Sequence, residues 1–256
     1  MNSVASSSRS RSSPTSAKPV ERGPRGRPKG SASIKVYESL RERILSLQLA
    51  PGQEIDETVL AVEFSVSRTP IREALLRLSS EELVDLVANR PARVSSINFF
   101  EVGEIFEALE VSQRVITRLA CVRHTSADLE DAQRHAKAYA DAALQRDFRG
   151  MADANYRFHS VIARAARNRF LSEVSKRLLD QTLRIASLVL RNAFENDRSY
   201  KRYIARVNAE HDAILKYIAA GDVDGGDKLA RTHSQLFKER VAGYVLDGRA
   251  GDIDLN

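Results

Sequence analysis

The stretch SVSRTPIREALLRL, from Ser65 to Leu78, decides how this chain is read. Ile71, Ala74, Leu75 and Leu78 recur at spacings of three, one and three and lay one apolar stripe along a helix. Ser67 is placed to cap that helix, and Pro70 falls in its first turn, where the missing N–H costs little. Packing alone does not ask for Arg68, Thr69 and Arg72 at the same end. A helix N-terminus offers free N–H groups and positive dipole potential to phosphate, and arginine can pair with guanine O6 and N7. Arg68 and Arg72 therefore suit base edges, and Thr69 suits phosphate or a thymine methyl. A solvated helix end with ordinary pairing, such as Arg68 with Glu73, is the plainer alternative.

Upstream, IKVYESLRERILSL (34–47) places Val36, Leu40, Ile44 and Leu47 on one helical face, and LAPG (49–52) breaks the chain. A short helix over 57–64 follows, contributing Val59, Leu60 and Phe64. Downstream, residues 83–86 and 92–95 read as strands, with NRPAR forming the tip between and within them. Three short helices followed by a two-stranded ribbon make a winged helix-turn-helix, in which 68–78 is the recognition helix. Arg90 at the wing tip then becomes a further DNA contact. Arg93 suits the DNA backbone, and Lys35, Arg41 and Arg43 suit phosphate from the first helix.

Charge supports this reading only locally. The net charge of +6 over 256 residues arises entirely within 1–30, where seven basic residues face Glu21 alone. Residues 31–96 hold eight basic and ten acidic residues. The Ser-, Pro-, Gly- and Arg-rich tail, 1–32, has too little apolar surface to order itself. Within it PRGRPKG (24–30) resembles an AT-hook, whose Arg25 and Arg27 would enter the narrow minor groove of A·T-rich DNA. Nonspecific attraction to phosphate is the blander reading. One cysteine, Cys121, excludes an intrachain disulfide and a cysteine-rich metal site. No run approaches the ~18 apolar residues of a membrane span, and no signal-peptide core is present, so a soluble cytoplasmic protein is expected.

Beyond the wing the pattern is helical, with helices predicted near 99–123, 126–146, 149–167, 168–192, 199–220 and 222–245. The fold class is mainly α: a winged helix-turn-helix (33–96) ahead of an all-α bundle (97–246), with a flexible C-terminus (247–256). Within the bundle, Asn155 and His159 in NYRFH share a helical face. His211 in RVNAEHDAI and His233 in ARTHSQLF sit among apolar neighbours. Three imidazoles and one oxygen donor from three helices can converge on a divalent metal such as Zn²⁺ or Ni²⁺, although histidines on apolar faces more often satisfy internal hydrogen bonds.

The run from Val36 to Val94, with LAPG, SVSRTPIREALLRL, EELVDL and NRPARV, resembles the DNA-binding domain of the GntR family of bacterial transcription regulators. Phe99 to Tyr244 resembles the FCD ligand-binding domain of the FadR-like branch. The resemblance implies operator contacts for Arg68, Thr69 and Arg72. It also implies a metal at the bottom of an effector cavity, held by an aspartate, a histidine four residues later and two histidines 22 residues apart. Asn155, His159, His211 and His233 occupy those positions here.

A small carboxylate effector beside the metal would then switch a homodimeric repressor on double-stranded operator DNA, with no enzymatic activity and no membrane partner. Ser65, Glu82 and Pro91 stand where the family usually has glycine, and Thr58 replaces a customary arginine. Asn155 lacks the charge of a carboxylate and would hold a cation more weakly unless an anionic effector completed its shell. Arg114, Arg118 and Arg157 are candidate carboxylate partners. Two other readings remain: an architectural DNA-binding protein without effector coupling, and a metal-dependent enzyme, for which no clear general base accompanies the histidines.

Overall fold

A computed structural model describes residues 31–98, 100–190 and 196–246. Helix α1 (Ser31–Leu45), strand β1 (Glu54–Ile55), helices α2 (Glu57–Glu63) and α3 (Arg68–Ser80), and strands β2 (Val84–Asp85) and β3 (Ala92–Val94) form the winged helix-turn-helix. The bundle follows as α4 (Val102–Arg123), α5 (Ser126–Leu144), α6 (Phe148–Ala165), α7 (Arg169–Val189), α8 (Asp197–Ala220) and α9 (Val223–Leu246). This is the expected fold class. Arg25 and Arg27, residues 247–256 and the predicted end of the fourth bundle helix at 191–192 lie outside the described residues.

The apolar stripe of α3 builds the first core. Ile71, Ala74, Leu75 and Leu78 are all buried, and they meet Val36, Leu40 and Ile44 of α1 in one cluster with Leu83 and Val94. Each fully buried Leu or Ile contributes about 1.5–3 kcal/mol over its exposed state. That burial turns the opposite face of α3 outward.

The wing differs from the predicted two-stranded ribbon. It is a three-stranded antiparallel sheet in the order β1-β3-β2, with Glu54 opposite Arg93 and Val84 opposite Val94. β1 is two residues long, too short for alternation to register in the sequence. The turn before it recruits it: Gly52 N–H donates to the Val94 carbonyl and Val94 N–H to the Gln53 carbonyl, both at 2.8 Å. Gly52 adopts φ +80°, which side-chain-bearing residues rarely do.

Local capping also departs from expectation. Ser67 stands at the N-cap of α3 but its side chain makes no capping bond. Asp56, one helix earlier, caps α2 by accepting from the N–H groups of Thr58 (2.6 Å) and Val59 (3.2 Å). Ser65 (φ +52°) and Glu82 (φ +61°) adopt the left-handed conformation at the positions where glycine is usual. In the wing, Asn89 (φ +61°) takes that conformation two residues ahead of Pro91. The turns thus keep their handedness without glycine, at roughly 1–2 kcal/mol for an unfavourable residue and less for Asn.

The two parts dock through α7. Asp180 has no exposed side-chain surface; it pairs with Arg41 of α1 and lies 3.2 Å from Lys176 Nζ. Lys176 also reaches Glu81 (2.8 Å), which accepts from the Tyr37 hydroxyl at 2.7 Å. The buried Arg184 guanidinium donates to the Ser95 carbonyl at the base of the wing and to Gln181 Oε1 at 3.1 Å. Burial lowers its pKa to about 10, against the pull of Asp85 and Asp180. Arg41 is therefore not a phosphate contact. Burial opposes its charge, but Asp180 and Tyr156 outweigh burial and raise its pKa.

Replacing Asp180 with Ala leaves Arg41 and Lys176 without this counter-charge. Urea unfolding should show a loss of about 3 kcal/mol. An unchanged midpoint would mean that the network carries no stability.

Candidate functional site

The outward end of α3 carries Arg68, Thr69 and Arg72, all exposed. Neither arginine pairs with Glu73. Arg68 Nη2 donates to Thr58 Oγ1 at 3.0 Å, and Arg72 Nε donates to Glu57 Oε2 at 2.8 Å. The second bond occupies Nε alone, so the terminal amino groups of Arg72 keep their donors for an outside acceptor. Arg90 is exposed in the wing turn, where its N–H donates to the Val87 carbonyl at 3.1 Å. Arg93 is tied to Glu54 across the strands at 2.6 Å. Arg43 pairs with Glu63 and lies over the Phe64 ring, while Lys35 is exposed.

In the bundle, α6 supplies Asn155 and His159, α8 supplies His211 and α9 supplies His233. One ring nitrogen from each histidine lies within 4.8 Å of the others. His233 Nε2 and His159 Nε2 are 3.2 Å apart, and His211 Nε2 is 3.1 Å from Asn155 Oδ1. All three rings are buried. Burial, with His233 adding to it, drives His159 well below the usual histidine range; burial and both neighbours do the same to His211. Neutral imidazoles expose the lone pairs that a metal needs.

Two imidazole nitrogens facing each other at 3.2 Å can share only one proton, whereas a divalent cation satisfies both. The donor set therefore fits Zn²⁺ or Ni²⁺ chemistry.

One contributor escaped the sequence reading. Glu210 Oε2 lies 2.9 Å from His233 Nδ1. A carboxylate accepts there, which puts the proton on Nδ1 and aims the Nε2 lone pair into the cluster. Burial pushes the Glu210 carboxyl up, but the bonds from His233 and Arg206 outweigh burial and hold it below its ordinary value. Glu210 thus places negative charge behind a cluster in which Asn155 offers none. The available signal was its position next to His211, masked by the adjacent exposed Arg206.

His159, His233 and Asn155 line a cavity of about 60 Å³ together with Gln113, Tyr156, Leu183 and Ser234, while His211 stands behind them outside its lining. Ser234 Oγ donates to Gln113 Oε1 at 2.9 Å. Among the described residues no lysine or arginine lines it. Of the two directions open to Arg114, Arg118 and Arg157, the structure shows the outward one: Arg114 binds Asp227 (2.9 Å), Arg118 binds Asp224 (3.3 Å) and Arg157 binds Asp153 (2.7 Å). Surface acids hold all three away from the cavity.

A winged helix-turn-helix joined to a helical bundle is the architecture of a transcription regulator, and comparison with known proteins gives its family. The model for bacterial regulatory proteins of the gntR family matches residues 32–94, and that for the FCD domain matches residues 104–236. The chain belongs to the GntR family, among its members with an FCD domain, and is a DNA-binding transcription regulator, not an enzyme. The HTH-type transcriptional regulator LutR of Bacillus subtilis is 26% identical over 217 residues, covering 77% of this chain and 95% of LutR. The HTH-type transcriptional repressor GlaR of Escherichia coli is 24% identical over 212 residues, covering 78% and 91%. The solved structure of E. coli McbR/YncC shares the fold, with TM-score 0.71 and 20% identity over 83% of this chain and 97% of that one. Among the described residues no helix is long and apolar enough to cross a membrane.

The buried histidines also set a pH response. An unfolded chain takes up a proton on each near pH ~6.5, whereas folded His159 and His211 stay neutral, so stability present above that pH is lost as pH falls. Melting of metal-stripped protein from about pH 7.5 to 5.5 should show a loss approaching about 1.4 kcal/mol per pH unit per histidine, reduced in His211→Gln. A flat profile would show that the rings protonate inside the fold.

Proposed function

We propose that this chain is a cytoplasmic, homodimeric repressor whose recognition helix reads a near-palindromic operator and whose histidine cavity senses a small carboxylate. Its working parts are a basic arm (1–32), the DNA-binding domain (33–96), the sensor and dimerisation domain (97–246) and a flexible end (247–256). The observation that carries the reading is the outward position of Arg68, Thr69 and Arg72 on a helix whose other face is buried. Two such helices, one from each copy, fit successive major grooves about one turn of DNA apart. Arg90 follows from the wing, and Arg25 and Arg27 add minor-groove or phosphate contacts. An exposed apolar row on α4, Val111, Val115 and Val122, supports the pairing of two copies.

His159, His211, His233 and Asn155 are the residues that would hold a divalent ion such as Zn²⁺ or Ni²⁺. When bound, the ion would supply the positive charge that the cavity lining lacks. Gln113, whose Oε1 accepts from Ser234, keeps its amide N–H groups as neutral donors for the remainder of a carboxylate ligand. The effector acts only to the degree that it binds two dimer arrangements with different affinity.

Arg72→Ala should weaken binding to the chain's own operator by an amount equivalent to about 1–3 kcal/mol and have a smaller effect on unrelated duplex. Equal losses on both, measured by fluorescence anisotropy, would reject base reading by Arg72. Titration calorimetry with Zn²⁺ should show a bound ion in metal-stripped wild type and its loss in His211→Ala. Unchanged binding in the variant would remove His211 from the ligand set.

A further inference from the structure

The histidine cavity and the DNA-binding domain meet at Tyr156. This residue follows Asn155 on α6 and lines both the 60 Å³ cavity and a wider cleft of about 590 Å³ between α1 and the bundle. Its hydroxyl accepts a hydrogen bond of 2.9 Å from Arg41 Nη2 on α1. Leu183 of α7 is the other side chain common to both linings, and it packs against both the DNA-binding core and a bundle core. Tyr156 and Leu183 are thus the partition between the two spaces.

That partition is where the cavity can yield. A space of about 60 Å³ is well below the ~150 Å³ that accommodates benzene. A metabolite of more than a few heavy atoms therefore requires a wall to move. Walls formed by packed helices resist, because interiors are close-packed. Tyr156 and Leu183 are backed by the open cleft. Displacing Tyr156 re-aims its hydroxyl away from Arg41, while Asp180 still holds the guanidinium. α1 is then free to settle differently on α7. Leu40 and Ile44 of α1 share a core with Ile71 and Leu75, so the recognition helix moves with α1.

We propose that Tyr156 is the link by which occupancy of the histidine cavity is transmitted to the DNA-binding domain, through its bond with Arg41. The inference rests on the sensory reading above. It concerns a positioning residue, since Tyr156 need not touch DNA or supply a ligand atom.

Hydrogen exchange on the full-length chain tests it, with Zn²⁺ alone as the probe because its candidate ligands Asn155 and His159 flank Tyr156. In wild type, saturating Zn²⁺ should change exchange in the 31–45 peptide by about fivefold; in Tyr156→Phe the change should fall below about twofold, with the Zn²⁺ Kd within about threefold of wild type. Lys176→Met weakens the same interface without touching Tyr156 and should keep the response. A full response in Tyr156→Phe, or none in Zn²⁺-saturated wild type, overturns the link.

Failure of Zn²⁺ to bind at all would instead sink the metal assignment, and the link is then decided by Ala152→Leu, which fills the cavity from within. That variant should alter exchange in 31–45, and adding Tyr156→Phe should remove the effect. An unaltered 31–45 peptide in Ala152→Leu overturns the proposal.

Discussion

Asp180 is a carboxylate with no exposed side-chain surface, set between Arg41 of the DNA-binding domain and Lys176 of its own helix. A buried charge must be met in good geometry, and little is gained over an apolar contact of the same size. What such a pair does supply is direction. Arg41 can meet Asp180 and Tyr156 together only when α1 lies on the bundle in one orientation, and Arg184 pins the base of the wing to α7 through Ser95. The angle at which the recognition helix is presented is therefore set by polar contacts on α7, not by the linker.

The contrast between what was legible in the sequence and what was not follows from this. Ile71, Ala74, Leu75 and Leu78 announce their helix because periodicity reports burial directly, and the same holds for the bundle helices, whose ends fall within three residues of their predicted spans where described. The histidine cluster was legible mainly through the resemblance, whose pattern of a histidine four residues after Asn155 and two histidines 22 residues apart is met by His159, His211 and His233; an apolar face alone suits an internally bonded imidazole equally well. Arg41 was not, since an amphipathic pattern separates buried from polar sides without saying which polar side meets another domain. The direction of Arg114, Arg118 and Arg157 was left open by the sequence for a related reason: the acids that hold them include residues on a different helix and, for Arg157, an exposed neighbour one turn away. β1 was too short to have a pattern, and Glu210 reads as solvent-facing until α8 and α9 are brought together.

Residues 31–96 carry a net charge of −2, and Glu57, Glu63 and Glu54 each engage an arginine of that domain. Such exposed pairs are worth little in stability. They do dampen the attraction of the folded domain for arbitrary phosphate, leaving the long-range pull to the seven basic residues of the tail.

The left-handed turns at Ser65, Glu82 and Asn89 carry a last consequence. Each holds a positive φ on a residue other than glycine, so these bends do not depend on the residue most at ease there. A search that recognised this domain by its glycines would pass over the chain, although the path of its backbone is kept. Relatives of this kind are better traced through the spacing of their buried side chains than through the identity of their bends.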